Sequence, residues 1–492
     1  MLQAIKKTAR SSIIYGLGNI STKLIGIVLM PLYTNTNILT VEDFGVLGVV
    51  DVTIQVLVAL LGLSLYQAYF RWYWDKEHTS DRRSIFFTLF AVLALLGGLL
   101  VTAGGITSSQ LSAVLFDSID YGRVLFLMLI SVVLQILAQL PLSLMRLEER
   151  PGFYTTTNIT RLFVTLVLTV LFITRLDRGL EGIYEAQILG NLFFFVITSS
   201  YIYRSSVFKL KLMVLKRMLE YSVPLTVASV SGILLATLDR YVLNYKATLL
   251  DVGIYTTAFR FANTIRVFVV HSLQLAVAPT IFKLMDHPNN KAIYSRIMTY
   301  FAVLVIYASL VLSIFGAEIL DLFVTDKVYH KALFVIPILS LGILLSTIKD
   351  VAINGLNIVK KTKIVSVIVP IVAVFHLALS YLVIPVFGVY GAAVASAISQ
   401  SIFLLVVLYF AQRYYPIPYE YKRIVVSFCI ALVMLVVGIN ITFSSVLLNI
   451  TLKLAIAALF PLVIWLIPFL KPDERQWVVV GLARIRRILF RS

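Results

Sequence analysis

The chain has 492 residues, of which 60% are hydrophobic and 13% are charged, and its formal net charge is +18. This composition excludes a soluble globular protein and is typical of a polytopic membrane protein. The longest polar stretches, 75–83 and 204–217, are too short to fold as a soluble ATP-binding or catalytic domain. Because the basic residues are scattered over short loops, membrane topology explains the charge better than nucleic-acid binding does.

Hydrophobic runs along the chain predict an all-α fold with fourteen membrane-spanning helices. In chain order, spans 1 to 14 cover residues 12–34, 44–66, 84–106, 121–145, 154–174, 180–203, 221–243, 253–280, 294–316, 332–354, 364–386, 388–411, 424–444 and 447–470. With the N-terminus in the cytoplasm, cytoplasmic loops hold roughly thirty of the 42 Lys and Arg residues and external loops hold five. This bias predicts that both termini are cytoplasmic.

Two short similarities recur at a nearly constant offset and indicate an internal duplication. The sequence LTVEDFG leads into span 2 and LLDVGIY into span 8, which aligns Gly45 with Gly253 at an offset of 208 residues. The starts of spans 6 and 12 share a pair of glycines at an offset of 209. Since six spans separate equivalent points, the two halves have the same orientation, as in transporters built of parallel repeats.

The duplication divides the chain into four parts. We predict an N-terminal lobe of spans 1–6 (residues 1–215) and a C-terminal lobe of spans 7–12 (216–422) around a central cavity. Spans 13 and 14 (423–470) have no counterpart in the first half. The basic tail 471–492 has the pattern of an amphipathic helix that lies on the inner membrane surface.

Charged side chains inside the spans of the first half are candidates for the cavity, because burying them in lipid is costly. Lys23 lies roughly 16 Å into span 1 and is too deep to reach the interface easily. Arg161 in span 5 either lines the cavity or extends to the nearby interface. Asp51 in span 2 could neutralise an arginine or carry a proton. Glu185, near the external end of span 6, is either a gate or a solvated interfacial charge.

Span 8 carries a polar stripe in an otherwise apolar run. On a regular helix Arg260 and Asn263 share one face with several further polar side chains, and Arg266 lies at the flank of that face. Positive charge at the centre of a membrane helix favours a cavity with anionic cargo. We therefore predict that Arg260, Asn263 and Arg266 contribute to a substrate site.

The second half also holds candidates for gating and for coupling to H⁺ or Na⁺. Asp239 lies near the external end of span 7. His271 and His376 are embedded histidines that either titrate or form structural hydrogen bonds. Lys453 in span 14 is expected to extend to the interface. No cofactor, catalytic group or metal site is predicted, because the sequence lacks metal-ligand spacing and a Walker A loop.

Several motifs resemble the polysaccharide transporter family of the multidrug/oligosaccharidyl-lipid/polysaccharide exporter superfamily, whose members are oligosaccharidyl-lipid flippases. The motifs are YGLGN at 15–19, PLYT at 31–34, LTVEDFG at 39–45, LDRY at 238–241 and GIY at 253–255. The resemblance extends over roughly residues 8–470. It implies a protein of the bacterial inner membrane with two six-helix lobes.

The resemblance also implies a function. Such proteins move undecaprenyl-diphosphate-linked oligosaccharides to the outer leaflet for O-antigen, capsule or exopolysaccharide synthesis, alongside polysaccharide polymerases and glycosyltransferases. Their cationic cavity corresponds by position within the spans to Lys23, Arg161, Arg260 and Arg266. Fixed guanidinium and ammonium groups can replace water around a diphosphate while the prenyl tail remains in lipid.

Three other functions fit parts of the sequence. A multidrug or cation exporter of the same superfamily would need acidic residues to dominate the cavity, whereas the deep charges here are mainly basic. A flippase for the peptidoglycan precursor lipid would share the same chemistry and is poorly separated by sequence. A membrane enzyme such as a repeat-unit polymerase would need large external loops, and the external loops here are short.

Overall fold

A computed structural model describes residues 26–75, 80–274, 277, 287–441, 443 and 445–466. The described residues form helices joined by short loops, with no strand among them. The all-α membrane fold predicted from hydropathy is therefore confirmed. The helices are Met30–Tyr33, Val41–Leu61, Leu65–Tyr73, Arg82–Phe116, Gly122–Leu147, Pro151–Thr174, Gly179–Arg204, Leu212–Thr237, Asp239–Lys246, Leu249–Ile265, Asn290–Ile314, Gly316–Phe323, Val335–Ile358, Thr362–Tyr414, Tyr421–Ile439 and Val446–Leu466, with a π-helical turn at Arg266–Val270 and a 3₁₀-helix at Lys327–Phe334.

Within the described part of the chain, eleven helices are long and apolar enough to cross a membrane. Spans 11 and 12 lie within the segment Thr362–Tyr414, which consists of two helices that meet at Gly388, where φ of +53° and ψ of −129° are not helical. Span 8 is interrupted by the π-helical turn after Ile265 and is not among the eleven. Most of span 1, with Lys23, and the whole tail 471–492 lie outside the described residues. The total of fourteen spans, like the division into lobes, stays a prediction.

Spans 2 and 8 cross backbone to backbone at the two glycines that the duplication aligns. A Cβ on Gly45 would lie 2.1 Å from the backbone oxygen of Leu249. A Cβ on Gly253 would lie 3.1 Å from the backbone oxygen of Val41 and 3.6 Å from the nitrogen of Gly45. Only glycine at position 45 permits so close an approach. The two predicted lobes therefore meet at equivalent points of their sequences.

Further contacts join the two halves at the same end of the bundle, which the charge bias predicts to be external. The Thr325 amide donates to the Thr34 hydroxyl at 3.2 Å, and the Thr325 hydroxyl donates to the Pro31 carbonyl at 3.1 Å. The rings of Phe44 and Tyr329 meet edge to face at 5.6 Å between centroids. The bundle is thus closed at this end, and we call these contacts the external closure.

The helix of span 2 is interrupted near the boundary between the two halves. Its first helix ends at Leu61, and Leu63 and Ser64 adopt left-handed φ angles of 47° and 48° before the second helix starts at Leu65. This conformation costs a non-glycine residue roughly 1–2 kcal/mol. The Thr226 hydroxyl of span 7 donates to the Ser64 hydroxyl at 3.2 Å, which holds the break against the other half.

Spans 13 and 14 pack against span 9. A Cβ on Gly438 would lie 2.8 Å from the Ile314 side chain, and the rings of Tyr307 and Phe460 stack at 5.6 Å. Lys453 does not extend to the interface, and that expectation is wrong. Its ammonium donates to Glu318 at 2.5 Å, and its side chain is only 7% exposed. A carboxylate from the short helix after span 9 makes this buried position tolerable.

Candidate functional site

A polar cavity of about 490 Å³ lies between the two halves. Spans 2, 4 and 5 of the first half and span 7 of the second half supply its walls. The lining residues are Gln55, Val58, Ala59, Ser64, Tyr66, Gln135, Gln139, Leu142, Ser143, Arg146, Tyr154, Asn158, Arg161, Ser229 and Ile233. Among these described residues are two arginines and no carboxylate. The central cavity is therefore cationic.

Arg161 is held in the central cavity by neutral partners. Its guanidinium donates to the side-chain oxygens of Asn158 at 2.8 Å and Asn191 at 3.3 Å, and it lies 5.5 Å from the Phe194 ring centre. Asn158 is one turn earlier on span 5, and Asn191 comes from span 6. Amide oxygens orient the guanidinium and leave its positive charge uncompensated. Arg161 thus lines the cavity, one of the two positions that the sequence left open.

Arg146 is the second arginine of the cavity. It was not among the predicted site residues, because hydropathy placed it in the loop after span 4. It lies in the last turn of the helix Gly122–Leu147 and donates to the Ser143 hydroxyl at 3.2 Å. Its guanidinium carbon is 5.1 Å from the Phe70 ring centre and 5.8 Å from that of Tyr154. Gln135 and Gln139, one turn apart on the same helix, form a polar stripe that could have indicated this wall.

Arg260 lies outside the central cavity, in an ion pair with Asp51 at 2.8 Å. The pair joins span 8 to span 2 and so bridges the two halves. The Arg260 side chain is 15% exposed and that of Asp51 is 36% exposed. The Tyr33 and Phe44 rings flank the guanidinium at 5.5 and 5.2 Å. Since Asp51 precedes Gln55 by four residues, the pair lies about 6 Å along span 2 from the cavity wall.

The rest of the span 8 stripe faces other helices. Arg266 begins the π-helical turn and donates to the Ser346 hydroxyl of span 10 at 2.6 Å. Gln274 donates to Asp350 of span 10 at 3.4 Å. Asn263 is half-buried one turn after Arg260 and does not line the central cavity. The stripe therefore supplies contacts within the second half in addition to the inter-lobe pair.

Asp239 forms a buried polar cluster with three helices of the second half. Its carboxylate lies 2.9 Å from His376 Nε2 and accepts from the Tyr255 hydroxyl at 2.6 Å and the Ser380 hydroxyl at 3.4 Å. His376 Nδ1 is 2.9 Å from the Ser399 hydroxyl. Asp239 and His376 are both fully buried. Asp239 was predicted near the external end of span 7, and its burial against His376 could not be seen in sequence.

Two other candidates lie away from the cavity. Glu185 pairs with Arg178 and lies 3.8 Å from Arg123, so its ion pairs stay within spans 4 to 6. It does not bridge the two halves in this conformation. His271 directly follows the π-helical turn and is half-buried. Lys23 falls outside the described residues, and its place in the cavity is untested. No group of metal-binding side chains occurs where the structure is described.

The sequence comparisons agree with the motif resemblance. The model of the family described as polysaccharide biosynthesis protein matches residues 8–285, more than half of the chain. A probable low-salt glycan biosynthesis flippase, Agl15 of Haloferax volcanii, is 24% identical over 347 residues, covering 68% of this chain and 71% of that protein. An uncharacterised membrane protein of Methanocaldococcus jannaschii, MJ1068, is 21% identical over 273 residues, covering 53% of this chain and 54% of its own.

Solved structures of transporters share the fold. The lipid II flippase MurJ in an inward closed conformation matches with a TM-score of 0.75 at 16% identity, covering 92% of this chain and 99% of MurJ. An inward-facing multidrug resistance transporter of the MATE family matches with a TM-score of 0.66 at 13% identity, covering 80% and 94% of the two chains. The chain therefore shares the multi-pass membrane fold of these transporters. With a family model matching more than half of its length, the chain belongs to the polysaccharide biosynthesis protein family.

Proposed function

We propose that the protein is a flippase that carries a lipid-linked oligosaccharide across the membrane by alternating access, and that it is not an enzyme. The observation that carries the proposal is the central cavity, whose described lining has two arginines and no carboxylate. A diphosphate head needs such fixed positive charge when it leaves water. A multidrug or cation exporter would need carboxylates at this position, so the cavity favours anionic cargo.

The cavity walls suit each part of such a cargo. Arg146 and Arg161 would bind the diphosphate, because a guanidinium offers a fork of donors that matches phosphate oxygens. Gln135 and Gln139 can exchange hydrogen bonds with sugar hydroxyls, and the Tyr66 ring can lie against a sugar face. These groups would replace the water that the head loses on entry. Lys23, predicted near the middle of the membrane in span 1, would add a third positive charge.

The prenyl tail needs an apolar path outside the polar cavity. A groove of about 220 Å³ lies between spans 9, 10 and 13, with walls that include Leu310, Leu341, Leu344, Phe428 and Leu432. Its apolar walls would hold a hydrocarbon chain at little cost. We assign the tail to this groove, in which span 13 takes part.

The ion pair between Asp51 and Arg260 would act as a latch between the lobes. It bridges spans 2 and 8 beside the external closure, where the halves touch. A diphosphate that reaches Arg260 would compete with the Asp51 carboxylate for the same guanidinium. Exchange of one anion for the other would release the latch and let the external ends separate, which couples cargo binding to the change of access.

We assign proton coupling to the buried cluster of Asp239 and His376. The two groups lie 2.9 Å apart with no exposure to solvent, and Tyr255, Ser380 and Ser399 surround them. A charged pair at this depth is costly unless it is balanced internally. Gain or loss of one proton would therefore change the packing of spans 7, 11 and 12. H⁺ is favoured over Na⁺ because an imidazole beside the carboxylate supplies a titrating group and not a sodium ligand.

The finer features follow from the motif resemblance and remain part of this proposal. The cargo would be an undecaprenyl-diphosphate-linked oligosaccharide for O-antigen, capsule or exopolysaccharide synthesis. The protein would lie in a bacterial inner membrane with both termini in the cytoplasm, near polysaccharide polymerases and glycosyltransferases. The charge bias of the loops supports this orientation.

Transport in proteoliposomes tests the proposal. A fluorescent undecaprenyl-diphosphate oligosaccharide, followed by a membrane-impermeant quencher, should cross vesicles that contain the wild-type protein. The variant Arg161→Gln should lose transport by at least about tenfold, because a charge-assisted hydrogen bond contributes about 1.5–3 kcal/mol. Arg175→Gln, at an exposed helix end, is the matched control. Equal transport by both variants would contradict the proposal.

A further inference from the structure

A second polar cavity, of about 960 Å³, lies at one end of the first half, separate from the central cavity. It is bounded by the second helix of span 2, the start of span 3, the loop between spans 4 and 5, and the end of span 6. The charge bias predicts that this end faces the cytoplasm. We call it the basal pocket. Its walls include Arg82, Arg83, Arg150 and Arg204, against the single carboxylate of Glu148.

Aromatic rings hold two of these arginines in place. The Arg82 Nε donates to the Tyr73 carbonyl at 2.7 Å, and its guanidinium carbon lies 4.4 Å from the Tyr73 ring centre. The Arg150 guanidinium carbon lies 5.7 Å from the Tyr201 ring centre. A guanidinium stacked on a ring has a fixed plane, so its N–H edge meets an anion with little loss of entropy.

Glu148 does not cancel the charge of the basal pocket. Its carboxylate lies 3.0 Å from Arg150 Nε and accepts a hydrogen bond from the Tyr201 hydroxyl at 3.1 Å, so one carboxylate is shared between two donors. Four arginines against one carboxylate leave the described walls with a net positive charge. Arg83 and Arg204 are exposed and can approach a ligand.

Two helix N-termini open into the basal pocket. The helices Arg82–Phe116 and Pro151–Thr174 both start without a side-chain cap and without an acidic residue in the first turn. Their first backbone N–H groups therefore need acceptors. The helix Gly179–Arg204 ends at the same pocket, and Arg204 in its last turn opposes the negative end of that helix. The described walls of the basal pocket therefore have many hydrogen-bond donors and few acceptors.

The remaining walls indicate what kind of anion fits. The Ser200 and Ser205 hydroxyls can donate to phosphate oxygens. At the rim, Phe153, Ile197 and Val207 are 36–43% exposed apolar side chains. A soluble anion would gain nothing from this apolar rim, whereas a lipid could place its chains against it.

From these contacts we propose that the basal pocket binds the phosphate head of a membrane lipid. The same chemistry occurs in two lipids, an anionic phospholipid of the bilayer and the diphosphate lipid that carries the cargo. A bound phospholipid would anchor the first half at the interface. A bound diphosphate lipid would place the cargo next to the central cavity before entry, and this second source rests on the proposed function.

Lipid binding to the full-length protein in neutral detergent tests the proposal. Phosphatidylglycerol, undecaprenyl diphosphate and zwitterionic phosphatidylcholine are titrated separately and counted by native mass spectrometry. The double variant Arg83→Gln/Arg204→Gln changes two exposed side chains, so the fold should survive. It should weaken binding of an anionic lipid about tenfold or more, and phosphatidylcholine should bind weakly throughout. Arg82→Lys keeps the positive charge but loses the paired N–H donors of the guanidinium. It should weaken binding less than the double variant does.

The outcomes separate the two sources. Weaker binding of phosphatidylglycerol alone supports a resident phospholipid, and weaker binding of undecaprenyl diphosphate alone supports a loading site for cargo. Unchanged binding of both lipids overturns the proposal. Because these variants leave Arg146 and Arg161 intact, that result would not count against the central cavity.

Discussion

The external closure makes a steric prediction at Gly45. Replacing this residue by alanine adds one Cβ that would lie 2.1 Å from the Leu249 backbone oxygen and 2.8 Å from the Leu249 carbonyl carbon. Backbone atoms cannot rotate away as a side chain can. Spans 2 and 8 would have to separate by more than 1 Å to restore ordinary contact at 3.4 Å or more. The variant should therefore disfavour the conformation in which the external ends touch.

The magnitude follows from the cost of overpacking. Inserting a methyl group into a close contact typically costs about 1–3 kcal/mol. A penalty of this size shifts an equilibrium between two conformations roughly 5- to 150-fold. Gly98 provides the matched control, because a Cβ there has no atom within 4 Å. Gly98→Ala should be neutral or stabilising by up to about 1 kcal/mol through helix propensity.

The distance between spin labels on the two lobes, measured by pulsed electron paramagnetic resonance, reports the shift between the two conformations. Asn37→Cys and Lys327→Cys place the labels at exposed positions beside the external closure, in a background where Cys429 is replaced by serine. Gly45→Ala should move the distance distribution towards longer values, and Gly98→Ala should leave it unchanged. Identical distributions for the two alanine variants would refute the steric reasoning.

Three further predictions concern charged side chains. Asp51→Asn removes the carboxylate that competes with the lipid diphosphate for Arg260. It should raise the affinity for the diphosphate lipid about fivefold, since a partly exposed ion pair contributes up to about 1 kcal/mol. A lower affinity in a binding titration would contradict the latch. His376→Gln should abolish the acceleration of transport by an imposed pH gradient while cargo binding is retained, and an undiminished response in proteoliposomes would remove histidine from coupling. Lys453→Met leaves Glu318 without its cation and should destabilise the protein by about 3 kcal/mol in thermal unfolding, with recovery in the double variant that adds Glu318→Gln. Equal stability of wild type and Lys453→Met would contradict this prediction.

Hydropathy and charge were sufficient for the fold class because they depend on local composition. The alignment of Gly45 with Gly253 even identified two positions that touch in space. The boundary between spans 11 and 12 was also predictable, because Gly388 stands at the start of span 12 and takes the left-handed φ of +53° that glycine permits. The π-helical turn after Ile265, in contrast, has no sequence signature that distinguishes it from a regular helix.

The candidate site was only partly predictable, for reasons of geometry. A helical stripe gives the direction of a side chain but not its partner. Arg260 and Arg266 are about 120° apart on a regular helix, and they face span 2 and span 10 respectively. Arg146 was missed because the predicted span ended one residue too early. The approach of His376 to Asp239 joins residues 137 positions apart, and no local pattern contains that distance.

Selective binding of the charged head is the most direct test of the central claim. Wild-type protein and the double variant Arg146→Gln/Arg161→Gln would be titrated with undecaprenyl-diphosphate oligosaccharide and with the same lipid lacking phosphate. The wild-type protein should prefer the diphosphate lipid, and the double variant should lose that preference by about tenfold or more for each arginine. If the double variant keeps the full preference, the cationic cavity does not bind the head, and the account fails.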